Sequence, residues 1–251
     1  MIRPTPRQPL LATAALLLAQ GTLAGTLYDP ASSSLPTAQG WSYGAAGPAA
    51  QSLGAAGLTT LDTGLANALQ AGYYRADQLL DSNHGVMLSF SAGLLSESHA
   101  RNDRAGFAVI ALDSQHRGIE LGFWSDQVWA QSGPAFTHAE STSFATGALT
   151  DYALRLQGGS YTLSANGAPL LSGALRDYAS FGAPYGTANL LFFGDDTTSA
   201  RAVVQLGAIS VTAVPEPGTL ALLLGGLGLI GLRQHRQVRI RPSQEPLQQL
   251  A

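Results

Sequence analysis

From Val86 to Leu94 the chain reads VMLSFSAGL. Val86, Leu88, Phe90, Ala92 and Leu94 fall on one side of an extended backbone, and Met87, Ser89, Ser91 and Gly93 on the other. Period-two alternation over nine residues is the signature of a half-buried strand. The same pattern keeps returning. GFAVIAL (Gly106–Leu112) is apolar on both faces, as a central strand is. IELGFW (Ile119–Trp124) and QVWAQ (Gln127–Gln131) follow, joined at Ser125-Asp126, and YALRLQG (Tyr152–Gly158) alternates again. SYTLSANGAPLLSG (Ser160–Gly173) is a hairpin whose Asn166-Gly167 pair suits a type I′ turn. NLLFFG (Asn189–Gly194) and RAVVQLGAISVTA (Arg201–Ala213) complete the series. In the last of these the apolar parity shifts near Gly207-Ala208, which predicts a bulge. Some ten to twelve short strands with Gly-rich turns predict an all-β antiparallel β-sandwich, a barrel being the structural alternative. Only GLANALQAG (Gly64–Gly72) suggests helix, about two turns. Residues 25–57, rich in Gly, Ala, Ser and Pro, read as a loop with at most one short strand around Trp41–Tyr43.

The two ends differ from this body. Arg3 and Arg7 precede the apolar run LLATAALLL (Leu10–Leu18), and Thr22-Leu23-Ala24 places small residues before a cleavage point after Ala24. That is a secretory signal peptide, a signal helix over 1–24 too short to span a membrane. At the other end stands VPEPGTLALLLGGLGLIGLRQHR (Val214–Arg236). Pro215 and Pro217 extend neither a strand ladder nor a helix interior, so they hold Glu216 on an extended, accessible stretch. Thr219–Leu232 follows as fourteen largely apolar residues including four glycines. As a helix it reaches about 21 Å against a hydrocarbon core of about 30 Å, a marginal transmembrane helix. Arg233, Arg236, Arg239 and Arg241 form a basic stop-transfer cluster behind it, as positive charge collects on the cytoplasmic side. The expected organisation is signal peptide 1–24, β-sandwich 25–213, sorting tail 214–236 and a basic, polar cytoplasmic tail 237–251. The chain would leave through the Sec machinery, be held briefly at the inner membrane, and end at the cell surface or outside the cell.

Between these ends the body carries seven arginines against eleven aspartates and three glutamates, a balance near −7. An acidic body argues against nucleic acid as a partner. All thirteen Lys and Arg positions are arginine and there is no cysteine. Lysine-amine chemistry, thiol nucleophiles, disulfides and thiolate metal sites are therefore excluded.

Pro215-Glu216-Pro217-Gly218, the glycine-rich apolar stretch and the arginine cluster together closely resemble the PEP-CTERM sorting signal. The resemblance implies recognition by an exosortase, an integral-membrane transpeptidase-like enzyme, and removal of the tail during export to the surface of Gram-negative bacteria that often make extracellular polysaccharide. Such tails usually stop soon after the basic cluster, whereas this chain continues with QVRIRPSQEPLQQLA (Gln237–Ala251). The body, through LYDPASSSLPTAQGW, NDRAGFAVIAL, RGIELGFW and FFGDDTTSA, is similar to exported bacterial domains of the choice-of-anchor type. That implies a jelly-roll, concanavalin A-like sandwich and carries no activity with it.

Chemistry inside the body is sparse. The E-x-D-x-x-E acids of laminarinase-type jelly rolls are absent; RGIELGFW offers Glu120 alone. A retaining glycosidase needs two carboxylates about 5 Å apart, and the sequence places neither Glu140 nor Asp126 beside Glu120. Glu120 shares strand parity with Gly122 and Trp124, so it reads as part of an exposed polar face. Glu120, Trp124 and Trp129 are candidates for a sugar-binding face. Ser96, His99 and Asp103 crowd one loop, yet catalytic triads are judged by geometry and no G-x-S-x-G is present. Asp195 and Asp196 in GDDTTS offer hard oxygen ligands suited to Ca²⁺, without the spacing of an EF-hand. No cofactor is otherwise called for. The expected body is noncatalytic, possessing at most a polysaccharide ligand; the alternatives are a secreted carbohydrate-active hydrolase with an unrecognised acid pair, or a structural matrix component.

Overall fold

The computed structural model describes residues 25–133 and 135–214, and in the tail 225–228 and 230. The signal-peptide segment, Pro215–Gly218 and the four tail arginines lie outside the described residues. Among those described, the chain forms sixteen strands: β1 (Gly25–Tyr28), β2 (Ser42–Ala46), β3 (Ala50–Leu53), β4 (Thr59–Asp62), β5 (Gln70–Arg75), β6 (Val86–His99), β7 (Ala108–Leu112), β8 (Arg117–Phe123), β9 (Gln127–Gln131), β10 (His138–Ser143), β11 (Thr150–Gln157), β12 (Ser160–Ala165), β13 (Ala168–Ala174), β14 (Arg176–Asp177), β15 (Leu191–Asp195) and β16 (Ala200–Ala213). They build two antiparallel sheets. The first runs β13-β12-β11-β6-β16-β4-β3 with β1 beside β16, and the second β10-β9-β8-β7-β15-β5-β2 with β14 beside β8. Two separate sheets make a sandwich and not a barrel.

Alternation places the core. Val86, Leu88 and Phe90 of β6 and Tyr152, Leu154 and Leu156 of β11 turn inward from the first sheet; Val109, Ile119, Leu121, Phe123 and Phe193 meet them from the second. Phe90 lies at the centre, stacked on Tyr152 (5.1 Å) and edge-on to Phe123 (6.3 Å) and Phe193 (5.3 Å). Such ring pairs add about 0.5–1.5 kcal/mol each beyond their buried area. The β12–β13 hairpin turns at Asn166 (φ 49°) and Gly167 (φ 79°), the two positive φ values that a type I′ turn requires. The β16 ladder slips between Leu206 and Ile209, a bulge at Gly207-Ala208.

Three elements differ from the sequence reading. Residues 25–57 hold three strands instead of one: β1 is a short strand that buries Leu27 and Tyr28, and β3 supplies backbone ladder without an apolar rhythm. Gly64–Leu69 forms turns and Gln70 already starts β5, since tertiary pairing overrides a weak helical propensity. The transmembrane helix also needs correction. Residues 225–228 and 230 are helical, but among the described residues no helix is long and apolar enough to cross a membrane. A span of fourteen residues falls well short of the roughly twenty that a bilayer requires. The transient inner-membrane anchor inferred from that helix falls with it.

A second, smaller apolar cluster lies on the opposite face of the second sheet. Ile110 and Leu112 of β7 and Phe192 of β15, alternate to the core residues, are covered by Tyr178, Tyr185 and Leu190. The segment between β14 and β15 therefore folds back across the outer face of this sheet, and it creates the site.

Candidate active site

Glu120 sits in the middle of β8, paired with Ile110 of β7. Its neighbours Ile119 and Leu121 face the core, so period two turns Glu120 outward. Outward does not mean exposed here. The Tyr178–Leu190 segment closes over it, and Glu120 is 8% exposed. Asp195 and Asp196 separate by the same rule. Asp195 ends β15 in register with Leu191 and Phe193 and points inward to Thr63 Oγ1 (2.9 Å). Asp196 points outward, toward Glu120.

Tyr185 joins the two outward carboxyls. Its hydroxyl lies 2.6 Å from Glu120 Oε2 and 3.1 Å from Asp196 Oδ2. A phenol has one proton to donate. If both contacts are hydrogen bonds, one carboxyl must be protonated and donate to the phenolic oxygen. The charges agree. Burial, and then the nearby Asp196, push the Glu120 carboxyl up to about 8, while Tyr185 and Arg104 hold it down in part. Burial also raises Asp196. Like carboxyls this close do not both ionise.

The pair opens onto a cavity of about 300 Å³, walled by Arg104, Gln131, Phe136, Pro184 and Thr197 among others. That is the lower end of ligand-pocket sizes. Tyr178, stacked on Tyr185 at 5.1 Å, accepts from the Glu120 backbone N–H and donates to Gln131 Oε1. Gln131 Nε2 is buried on the cavity wall with no hydrogen-bond partner, and so is Asp103 Oδ1. A buried orphan donor costs about 1–3 kcal/mol, which a ligand acceptor at this wall would recover. Arg104 is fixed by donating to the carbonyls of Asp103 (2.6 Å) and Phe136 (2.8 Å), while its own carbonyl accepts from Trp124 Nε1 (2.8 Å).

The tryptophans expected to form an open stacking face are placed otherwise. Trp129 is 2% exposed, lying over Gly122. Trp124 is half-buried and already stacked by His99 at 4.1 Å. Of the candidate residues, the structure thus brings Glu120 and Asp196 together and leaves Trp124 and Trp129 as scaffolding. Among the described residues no group of three or more His, Asp or Glu could hold a metal ion, and Asp195 and Asp196 diverge instead of converging on a cation. Ser96, His99 and Asp103 do not form a triad; His99 Nδ1 binds Glu97 (2.6 Å) and Asp103 pairs with Arg104. Tyr185, Tyr178, Arg104 and Gln131 were not singled out in the sequence. The only hint of the tyrosines was their aromatic character in a segment otherwise without pattern.

Two further consequences are measurable. A Cβ at Gly122 would stand 2.4 Å from the Trp129 ring. Gly122→Ala is expected to cost about 1–3 kcal/mol through overpacking, read by urea denaturation of the body; an unchanged midpoint would show that Trp129 has room to move. Asp195 is raised to about 8, by burial first and then by Asp196, against the hydrogen bonds of Thr197 and Thr63. Both Asp195 Oδ2 and Ala202 O stand within reach of the single Thr63 hydroxyl proton, so a protonated Asp195 donating to Thr63 satisfies both. The folded state then binds the extra proton between about pH 4 and 8, and stability falls as pH rises through that window. Asp195→Asn, whose amide also donates, is expected to flatten this slope and to stabilise the body at pH 8 by at least about 1 kcal/mol. A thermal melt series over pH checks it; a variant destabilised at every pH contradicts the protonated form.

Fold and site together define a β-sandwich with an enclosed acid pair on one outer sheet face. Residues 213–237 match the model of the PEP-CTERM protein-sorting motif. The chain is therefore an exosortase-sorted surface protein with a β-sandwich body. No curated protein matches it. Among solved structures, the carbohydrate esterase vb_24B_21 from the Shiga toxin-encoding bacteriophage phi24B is similar with a TM-score of 0.56 and 18% identity, over 76% of this chain and 99% of that one. A galectin-like protein of unknown function from Bacillus subtilis gives 0.49 and 11%, over 76% and 98%. Alginate lyase A1-II′ gives 0.42 and 12%, over 66% and 84%. Identities this low speak to the fold, and only the first score is high enough to do so. The expectation of a noncatalytic body is corrected accordingly. A carbohydrate esterase uses this fold, and the body holds an acid pair that the sequence did not reveal, so catalysis is open to it.

Proposed function

We propose that the body is a secreted carbohydrate-active hydrolase that cleaves glycosidic bonds at Glu120 and Asp196. The observation that carries the reading is the Tyr185 hydroxyl held between the two carboxyls. Its contacts of 2.6 and 3.1 Å keep the bridged oxygens within about 6 Å, the short separation of retaining glycosidases and not the 6.5–9.5 Å of inverting ones. Glu120, the deeper group, acts as the acid, and Asp196, nearer solvent, as the nucleophile. As a sugar enters, Tyr185 keeps one contact and gives up the other. Asp196 attacks the anomeric carbon while the bond to the leaving oxygen breaks and takes the Glu120 proton. Glu120 then removes a proton from water, whose oxygen replaces Asp196 at the same carbon. Gln131 Nε2 and Arg104 supply donors to sugar hydroxyls. The resemblance in fold to a carbohydrate esterase supports a carbohydrate-active reading without naming the bond. Export by the Sec route through residues 1–24, and removal of the tail by an exosortase within residues 214–218, belong to the same proposal. Reducing-sugar release from a panel of bacterial exopolysaccharides and glucans, with Glu120→Gln as control, tests it. Release by the wild type alone supports the assignment; release equal in both sinks it.

A further inference from the structure

A second hollow adjoins the acid cavity on the same outer sheet face. It holds about 430 Å³ and shares Gln70, Ala183, Pro184 and Asp196 with the first. Its floor is flat because Gly44 of β2 and Gly72 of β5 are cross-strand partners. A Cβ at Gly72 would stand 2.5 Å from the Phe192 ring, so the glycine is what lets that ring lie against the sheet. At the far end Tyr74 stands 43% exposed, beside Phe192 on the neighbouring strand. Its hydroxyl makes no hydrogen bond among the described residues. An exposed aromatic on a recessed, glycine-floored surface presents a bare face of the kind on which the C–H side of a sugar ring rests. From Tyr74 back to Gln70 is four residues of strand, about 13 Å, more than one sugar ring. Gln70 marks the join, its Nε2 donating to the Asp196 carbonyl at 2.7 Å.

We infer that this hollow is a second subsite for the same glycan, with Tyr74 as its stacking platform, so that the enzyme favours longer chains over disaccharides. The inference rests on the hydrolase reading above. Its occupant is the continuation of the substrate chain, because the two hollows adjoin across the shared residues Gln70, Ala183, Pro184 and Asp196.

The test uses the full exported chain and its Tyr74→Ala and Tyr74→Trp variants. The probes are cello-, laminari- and manno-oligosaccharides from disaccharide to hexasaccharide. Cleavage products are mapped for each, and binding is measured separately with Glu120→Gln in place. Loss of the Tyr74 face is expected to raise KM for the long oligosaccharides about tenfold, with little change in kcat or in handling of the disaccharide, and Tyr74→Trp is expected to restore it. Equal KM for long and short oligosaccharides in the wild type, or equal KM in Tyr74→Ala, overturns the second subsite while leaving the hydrolase standing. Tyr74-dependent binding without cleavage by the wild type leaves the subsite and removes the hydrolase. Absence of both binding and cleavage across the panel counts against both. Because Tyr74 is partly exposed, an unchanged melting temperature separates a lost contact from a lost fold.

Discussion

Glu120→Gln is expected to cripple turnover without unfolding the protein. A positioned acid contributes about 10²–10⁴-fold, so kcat/KM is expected to fall by that factor, and Asp196→Asn to fall at least as far because it removes the nucleophile. The pH profile separates a catalytic from a structural role. As the proposed acid, Glu120 would work in its protonated form, and its carboxyl is pushed up to about 8 by burial and by Asp196. Wild-type activity is therefore expected to decline as pH rises through about 8, with the acidic limb following protonation of Asp196. The stability sign runs the other way for the variant. The folded state holds the Glu120 proton above the pH at which the unfolded chain loses it, so this group's contribution to stability shrinks between about pH 4.5 and 8. Glutamine keeps the shape and never ionises, so Glu120→Gln should melt no lower than wild type at pH 8 and above. An inactive variant that is as stable as wild type, or more so, is a result that a purely structural glutamate would not give. A glutamine variant retaining full activity and the same pH profile ends the assignment.

Much of this arrangement was legible before any coordinates, and where it was not the reasons are physical. Alternation placed β6, β8, β11, β12 and β16, because each buries one face against the facing sheet. It also set Glu120 opposite Ile119 and Leu121. What alternation does not report is what covers the other face. The outer side of β8 read as open because strand parity tells core from not-core; burial by a loop leaves no periodic trace. Tyr178 and Tyr185 lie in such a loop, and Gln131 and Arg104, which share the cavity wall, come from β9 and from the turn before β7. Asp195-Asp196 read as a pair of like ligands, although period two sends adjacent strand residues to opposite faces. Applied to the end of β15, that rule alone would have separated them. Of the early strands, β3 escaped for another reason: residues such as Ala50 and Ser52 pair through backbone and bury little, so nothing in their side chains marks them; β1, although it buries Leu27 and Tyr28, is only four residues long and shows no run of alternation.

Replacing Pro215-Glu216-Pro217 by three alanines is expected to leave the tail on the exported chain, whereas wild-type protein recovered outside the cell ends between Val214 and Gly218. The geometry supports cleavage there. Ala213 is the last paired residue of β16, opposite Val86, and the Val214 N–H donates to the Gly85 carbonyl at 2.9 Å. The next residue is proline, which has no N–H with which to continue the ladder. Among the described residues the ladder thus ends at Val214, just before Pro215-Glu216-Pro217, and a cut beyond it removes no described strand. Processed and unprocessed bodies should melt at the same temperature. The acid pair stands toward the opposite end. Its rim residues Asp103, Arg104 and Thr197 lie on loops that meet where β16 begins, with Ala100 N–H donating to Ser199 O. A strand of fourteen residues separates that end from the tail by about 40 Å. The cavity therefore lies at the end of the sandwich remote from Val214. Intact mass and terminal peptide mapping of surface and medium fractions decide the matter. Extracellular wild-type chains still carrying Arg233–Ala251 would show that the motif is not processed in this protein. A triple variant cut as efficiently as wild type would show that the prolines and Glu216 are not what the enzyme reads.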